Sequence, residues 1–188
     1  MFCRAPLAFA VAALFTAAGC QGSKHTRVAS FMRPQVPAGF TEQTGSGWRI
    51  AVPSTWTNEP QPEGSPSGLW VAADPQAVDD YHANAIVVRE AFPSESYDYA
   101  RASEQLLRRD PRATIESNHD DVVDGDTTMV VEARWAPIPP ASVAYRTMQV
   151  DLASRGTGYV VTCSVAATAF ERYRSTCDAI VRSFAIER

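Results

Sequence analysis

In the second half of the chain, apolar and polar positions alternate with a period of two, interrupted where turn-forming residues cluster. Over 127–135, Met129, Val131, Ala133 and Trp135 share one face, and Thr128, Val130, Glu132 and Arg134 share the other, which predicts a strand. A strand over 112–118 precedes it, and between them stands Asp124-Gly125, a dipeptide that tolerates the positive φ angles of a tight hairpin. Beyond Pro137-Ile138-Pro139-Pro140, a long strand is expected over 142–153, where Ala144, Met148, Val150 and Leu152 alternate. Gly156 and Gly158 bracket a further turn before a last long strand over 159–166. Four consecutive strands with short connections imply an antiparallel meander.

The period then changes. Phe170, Tyr173, Cys177, Ile180 and Phe184 recur at spacings of three or four, one face of a helix expected from Thr168 to Ser183. Cys163 shares its strand face with Tyr159, Val161 and Val165. A helix folding back on its own preceding strand would bring Cys163 and Cys177 into one layer. The alternatives are a disulfide and two buried unbridged thiols, which geometry decides.

The first half is patterned less regularly. Residues 40–44 and 47–52 read as short strands around Gly45-Ser46-Gly47, and 53–68, dense in Pro, Gly, Ser and Asn, as a loop. Strands are expected at 69–73 and 84–92. Pro93-Ser94 then opens a helix to about Arg109, capped by Ser94 or Ser96, with Glu95 in its first turn. Asp110-Pro111 stops it. The globular part is therefore α+β, an antiparallel sheet with helices, running as one domain over 39–188.

The N-terminal segment changes the picture most. Arg4, the apolar run 5–15 and the small residues before Cys20 have the layout of a secretory signal. Leu14-Phe15-Thr16-Ala17-Ala18-Gly19-Cys20 resembles a bacterial lipobox, with Ala17 where Leu is favoured. The resemblance implies cleavage after residue 19 and a lipid on Cys20. The apolar run is shorter than the ~20 residues of a membrane-spanning helix. Removing 1–19 would leave 169 of 188 residues and a net charge of −5, since Arg4 leaves with the removed piece. No basic stripe points to nucleic acid. Residues 20–38, with Pro34 and Pro37, read as a flexible tether, roughly 60 Å long if extended and nearer ~25 Å as a coil. Its Lys24, Arg27 and Arg33 suit anionic headgroups. With Cys3 removed and Cys20 acylated, Cys163 and Cys177 are the remaining pair, and outside the cytoplasm such a pair normally oxidises. Gln21, not Asp, implies the outer membrane facing the periplasm in a Gram-negative cell, by the lipoprotein rule.

The order of elements resembles the PsbP/DcrB-like (LpqN-like) proteins. Gly47-Trp48-Arg49-Ile50-Ala51-Val52-Pro53 followed by Trp56 is similar to their opening strand. Tyr159-Val160-Val161-Thr162-Cys163, then Phe170, Ile180 and Ser183-Phe184, is similar to their closing strand and helix. The resemblance covers about 40–188 and implies an α/β/α sandwich on an antiparallel sheet. It implies an accessory or binding role and carries no catalytic residue. The Cys163/Cys177 pair departs from the pattern.

Candidate chemistry is sparse. Gly45-Ser46-Gly47 and Gly64-Ser65-Pro66-Ser67-Gly68 do not match the G-x-S-x-G turn of a serine nucleophile. Asp79-Asp80-Tyr81-His82 and His119-Asp120-Asp121 are acidic clusters containing His, but neither has paired histidines at ligand spacing. Val122 and Val123 interrupt the alternation that a calcium loop through Asp120, Asp121, Asp124 and Asp126 needs. No phosphate loop, dinucleotide fingerprint or C-x-x-C motif occurs. No metal, cofactor or catalytic residue is expected. Recognition remains: Trp56 and Trp70 border the loop 53–68, and Trp135 and Ile138 the Pro-rich turn. Aromatics there are either core edge or contact area for a protein partner. The expectation is a membrane-anchored, extracytoplasmic, non-catalytic interaction module. The alternatives are a periplasmic inhibitor of the immunity type and an envelope hydrolase.

Overall fold

The structure, a computed structural model, describes residues 35–61, 65, 68–137 and 142–187. Cys20, the segment 1–19, Ile138 and most of the tether 20–38 lie outside the described residues. The elements are β1 (Phe40–Gly45), β2 (Trp48–Pro53), β3 (Thr57–Asn58), β4 (Trp70–Val78), β5 (Tyr81–Ala91), α1 (Ser96–Arg109), β6 (Ala113–Val123), β7 (Asp126–Trp135), β8 (Tyr145–Ser154), β9 (Thr157–Ala166), α2 (Phe170–Ser183) and β10 (Ala185–Ile186). A 3₁₀ turn, Ala167–Ala169, leads into α2. No helix among the described residues is long and apolar enough to cross a membrane.

The strands form two antiparallel sheets. One has seven strands in the order β3-β4-β5-β9-β8-β7-β6, the other three in the order β1-β2-β10. The meander expected from the second half is β6 to β9. Tight turns with positive φ at both central residues close its hairpins, at Asp124-Gly125 (53° and 79°) and Arg155-Gly156 (51° and 79°). These are the turns whose twist matches the flanking strands.

Several boundaries differ from the sequence expectation. β4 and β5 are longer than expected because Asp79 and Asp80, at φ 51° and 60°, close a third hairpin of the same kind. The Asp79-Asp80-Tyr81-His82 cluster is therefore a turn plus the start of a strand, not a loop. α1 begins at Ser96 behind Glu95, and no side chain caps it. Ser94 Oγ donates to Asp98 Oδ2 at 2.8 Å, and Ser96 is buried under the helix. The turn expected between Gly156 and Gly158 is Arg155-Gly156. Gly158 lies within β9, where a Cβ would come 2.8 Å from the Tyr99 ring. In the small sheet, β1 and β2 stand where the strands at 40–44 and 47–52 are expected, whereas β10, two residues long, has no pattern of its own in the sequence.

The sheet's two faces are packed unequally. On one, Val130, Met148, Val150, Leu152, Val161, Cys163 and Val165 meet Phe170, Cys177, Ile180 and Phe184, with Ile50 and Val52 of β2 completing the core. Burying one large apolar side chain contributes ~1.5–3 kcal/mol, so this face holds α2 and the small sheet firmly. Ser183 ties them further: its Oγ accepts from the Ala51 N–H at 2.8 Å and donates to the Ile180 carbonyl at 2.7 Å. On the other face the apolar cluster is only Ala100, Met129 and Val131, with Leu107 and Ile115 beside it.

Candidate interaction surface

Alternation along β9 and helical spacing along α2 put both cysteines in the main core, each fully buried. They are bonded, with S–S 2.09 Å and Cα–Cα 5.3 Å. The bridge fastens α2 to the central strand of the sheet.

The tryptophans divide. Trp56 is 8% exposed and belongs to the core, so as contact area it is corrected: the chain turns inward after Pro53 and buries the indole. Trp70 is half-buried and packs edge-on against Trp48, 5.4 Å between centroids. Trp135 is half-buried at the end of β7. Its ring stacks on Tyr145 at 5.8 Å and 5°, and Tyr145 stacks on Tyr81 at 5.5 Å and 12°. Trp135 Nε1 donates to Thr147 Oγ1 at 3.1 Å.

This row of rings runs across the α1 side of the sheet. Trp135 pairs with Tyr145 directly between β7 and β8. Tyr81 reaches Tyr145 across β9, where a small residue, Ser164, bonds to the tyrosine. Burial raises the Tyr145 hydroxyl to about 12, with the Tyr81 hydroxyl adding to it, so the row is uncharged at physiological pH. Tyr81 and Tyr145 escape sequence reasoning for different reasons. Pairing of β7 with β8 about the Pro-rich turn would have put Tyr145 opposite Trp135. Nothing local places Tyr81, because its contact is made across an intervening strand. All three rings are partly accessible, and stacked aromatics offer rigid contact area at low entropic cost.

Between α1 and the sheet lies a second feature, and it is polar. Gln149 Nε2 donates to both Asp151 oxygens, at 3.1 and 3.0 Å, and to Ser103 Oγ at 3.0 Å. Ser96 Oγ accepts from the Ala153 N–H at 2.9 Å and lies 3.2 Å from Asp126 Oδ2. Tyr99 Oη donates to Glu90 Oε1 at 2.5 Å. Asp151 is wholly buried, and burial pushes its carboxyl up to about 7 against the opposing hydrogen bonds from Gln149 and Ser103. Gln149 and Asp151 alternate with Met148, Val150 and Leu152, a pattern that reads as a solvent-facing side. Helix α1 covers it instead.

The histidines do not come together. His82 Nδ1 donates to the Asp74 carbonyl at 2.8 Å on β5; His119 Nε2 is 3.9 Å from Asp121 Oδ2 on β6. Three strands separate β5 from β6, about 19 Å at the usual strand spacing. The acidic residues near the β6–β7 turn have structural partners. Asp124 Oδ2 accepts the Ile186 N–H at 2.9 Å, and Asp121 pairs with Arg182 at 2.6 Å. Among the described residues no group of three His, Cys, Asp or Glu is placed to hold a metal ion.

No protein-family model and no curated protein sequence matches the chain. Solved structures do. LpqN of Mycobacterium tuberculosis, described as involved in cell envelope biogenesis, superposes with a TM-score of 0.56 at 12% identity, covering 88% of this chain and 100% of that one. Cyanobacterial PsbP (CyanoP) from Synechocystis sp. PCC 6803 gives 0.53 at 16% identity, with 89% and 98% covered. The fold is PsbP-like. The Ran-binding protein Mog1p of Saccharomyces cerevisiae shares it too, at 0.53 and 13% identity over 78% of this chain and 95% of its own. These descriptions differ from one another, so the shared fold carries no single function.

Proposed function

We propose that this protein is a lipid-anchored, extracytoplasmic binding module of the bacterial envelope that acts without catalysis. The observation that carries the reading is the Cys163–Cys177 disulfide, a bond that forms and persists in oxidising compartments. It agrees with export and acylation at Cys20, and the tether 20–38 would set the domain off the membrane. Envelope biogenesis, the role given to LpqN, supports the same setting. The row Trp135–Tyr145–Tyr81 is the surface assigned to a protein partner, and in a Gram-negative cell Gln21 directs the anchor to the outer membrane.

Metabolic labelling with a palmitate analogue tests the anchor: the full chain should incorporate label and Cys20→Ala should not. Equal labelling of both removes the assignment. For the surface, a photo-crosslinking residue replacing Trp135 in intact cells should trap a discrete partner, whereas one replacing Arg155, in the β8–β9 turn, should not. Adducts from both positions, or from neither, count against it.

A further inference from the structure

The two helices are held to the sheet by different physics. α2 is fastened by the large apolar core and by a covalent bond. α1 has a smaller apolar contact, through Ala100, Leu107 and the Tyr99 ring beside Phe92 and Gly158, and the rest of its seat is hydrogen bonds to Asp126, Gln149, Asp151, Glu90 and Asn118. At the centre of that seat is a carboxyl with no exposed surface. Its two oxygens draw on one nitrogen, that of Gln149, and on the Ser103 hydroxyl, both of them neutral donors. An ionised carboxylate has about four acceptor sites to fill, so this donor set suits a neutral acid and leaves an anion under-solvated.

The charged and titratable groups around Asp151 sharpen the point. From α1 come Tyr99 and Glu104, the latter paired with Arg108 at 2.6 Å and bonded to Asn118. From β5 comes Glu90, whose negative charge opposes ionisation of Asp151. From β7 comes Asp126, held by Ser96. β9 turns Tyr159 and Cys163 to the opposite face and brings Thr162, whose hydroxyl lies 3.4 Å from Gln149 Oε1. These titratable neighbours are all acids, the nearby cation Arg108 is taken up by Glu104, and no cation bonds to Asp151 among the described residues. A dry site of this composition resists negative charge strongly.

We propose that α1 is an acid-latched lid: with Asp151 protonated it is seated on β7 and β8, and loss of that proton lifts it from the sheet. Water reaching the carboxylate relieves the buried charge, and Ser103 and Ser96 are the contacts given up. Lifting uncovers Met129, Val131 and Ile115, an apolar patch that the closed molecule hides. Phe92, whose ring packs 4.3 Å from Tyr99, marks the N-terminal pivot. At the other end the Arg112 carbonyl accepts the Ala136 N–H at 2.8 Å and keeps the helix tied to β7. The lid does not depend on the proposed anchoring, because it is a property of the domain alone.

Hydrogen–deuterium exchange of the full chain tests it, comparing 96–109 with 170–183 at pH 5 and pH 8 after correction for intrinsic rates. α1 should exchange roughly ten- to a hundredfold faster at pH 8, a factor set by the tenfold change per pH step between the two protonation constants. α2 should not change. Asp151→Asn keeps the shape and cannot ionise, so it should hold α1 closed at both values. Glu90→Gln should leave the pH dependence in place. Equal protection of wild-type α1 at both pH values overturns the lid. So does a pH response that survives in Asp151→Asn or disappears in Glu90→Gln.

Discussion

The guanidinium of Arg146 lies 3.8 Å from the centroid of the Phe170 ring, a strand cation set on the first residue of α2. Arg174 approaches the same ring at 4.9 Å. Arg146 also reaches Glu116 at 2.5 Å, Glu132 at 3.3 Å and Glu171 at 3.1 Å. Glu132 is buried and bonds to Arg174 as well. The cluster gives the start of α2 an electrostatic seat beside its apolar one. Removing Arg146 leaves the buried Glu132 with Arg174 alone and takes the Arg146 partner from Glu116, which is the costly way to break such a cluster.

Arg146→Ala should therefore lower unfolding free energy by about 3 kcal/mol, measured by urea denaturation at neutral pH. The double change Arg146→Met with Glu132→Leu should recover most of that loss, because the buried charge goes with its partner, Glu116 and Glu171 reach solvent, and Arg174 keeps Glu171. A single variant as stable as wild type would mean that Glu132 is solvated by other groups.

The disulfide makes a second, separable contribution. Cys163 and Cys177 are 14 residues apart, and closing a loop of that size restricts the unfolded chain by ~3 kcal/mol in the entropic description. Replacing both cysteines with Ser should reduce stability by about that amount or more, since two buried hydroxyls are added. Intact mass should rise by two hydrogens on reduction of the wild-type chain. Absence of that mass change means that the thiols are free.

Gly158 tests the packing of α1 from beneath. A methyl group there would meet Tyr99 Cε1 and Cζ at 2.8 Å and Phe92 Cβ at 3.0 Å. Neither neighbour is the far end of a flexible side chain. Gly158→Ala should cost about 1–3 kcal/mol, the range for overpacking, and raise exchange in 96–109 more than in 170–183. Uniform loss across both helices would place the damage in β9 instead.

How far the sequence is legible follows from the range of each contact. The β6–β9 meander is written in local alternation and in the Asp124-Gly125 turn. The facing of Cys163 and Cys177 follows from combining the two periodicities. By contrast, the pairing of β5 with β9 joins Asn84 to Ser164 and Ala91 to Thr157, and no local pattern encodes it. Tyr81 reaches Tyr145 only as a consequence of that pairing, so the aromatic row is legible at Trp135 and, through the β7–β8 pairing, at Tyr145, but not at Tyr81. The burial of Gln149 and Asp151 is hidden from the sequence for another reason. A polar face of an alternating strand is normally wet, and here a helix whose own inner face is polar closes over it.

That buried polar face makes stability depend on pH in an unusual direction. The Asp151 carboxyl stands at about 7 in the folded protein, against an ordinary value of 3.8. Between those values the native state holds a proton that the unfolded chain has released. Stability is therefore greatest below pH ~4 as far as this group is concerned, and it falls as pH rises through about 7. Integrated over that window the loss is of order 4 kcal/mol. Asp110, held down to about 2 by Arg112, acts in the opposite sense, but only as pH falls below ~4. The two do not overlap. Urea denaturation between pH 5 and pH 8 should show wild-type stability declining with pH, while Asp151→Asn should be flat across the same range and the more stable protein at pH 8. Parallel pH profiles for the two proteins would show that the buried carboxyl already exchanges its proton with a solvated site in the native state.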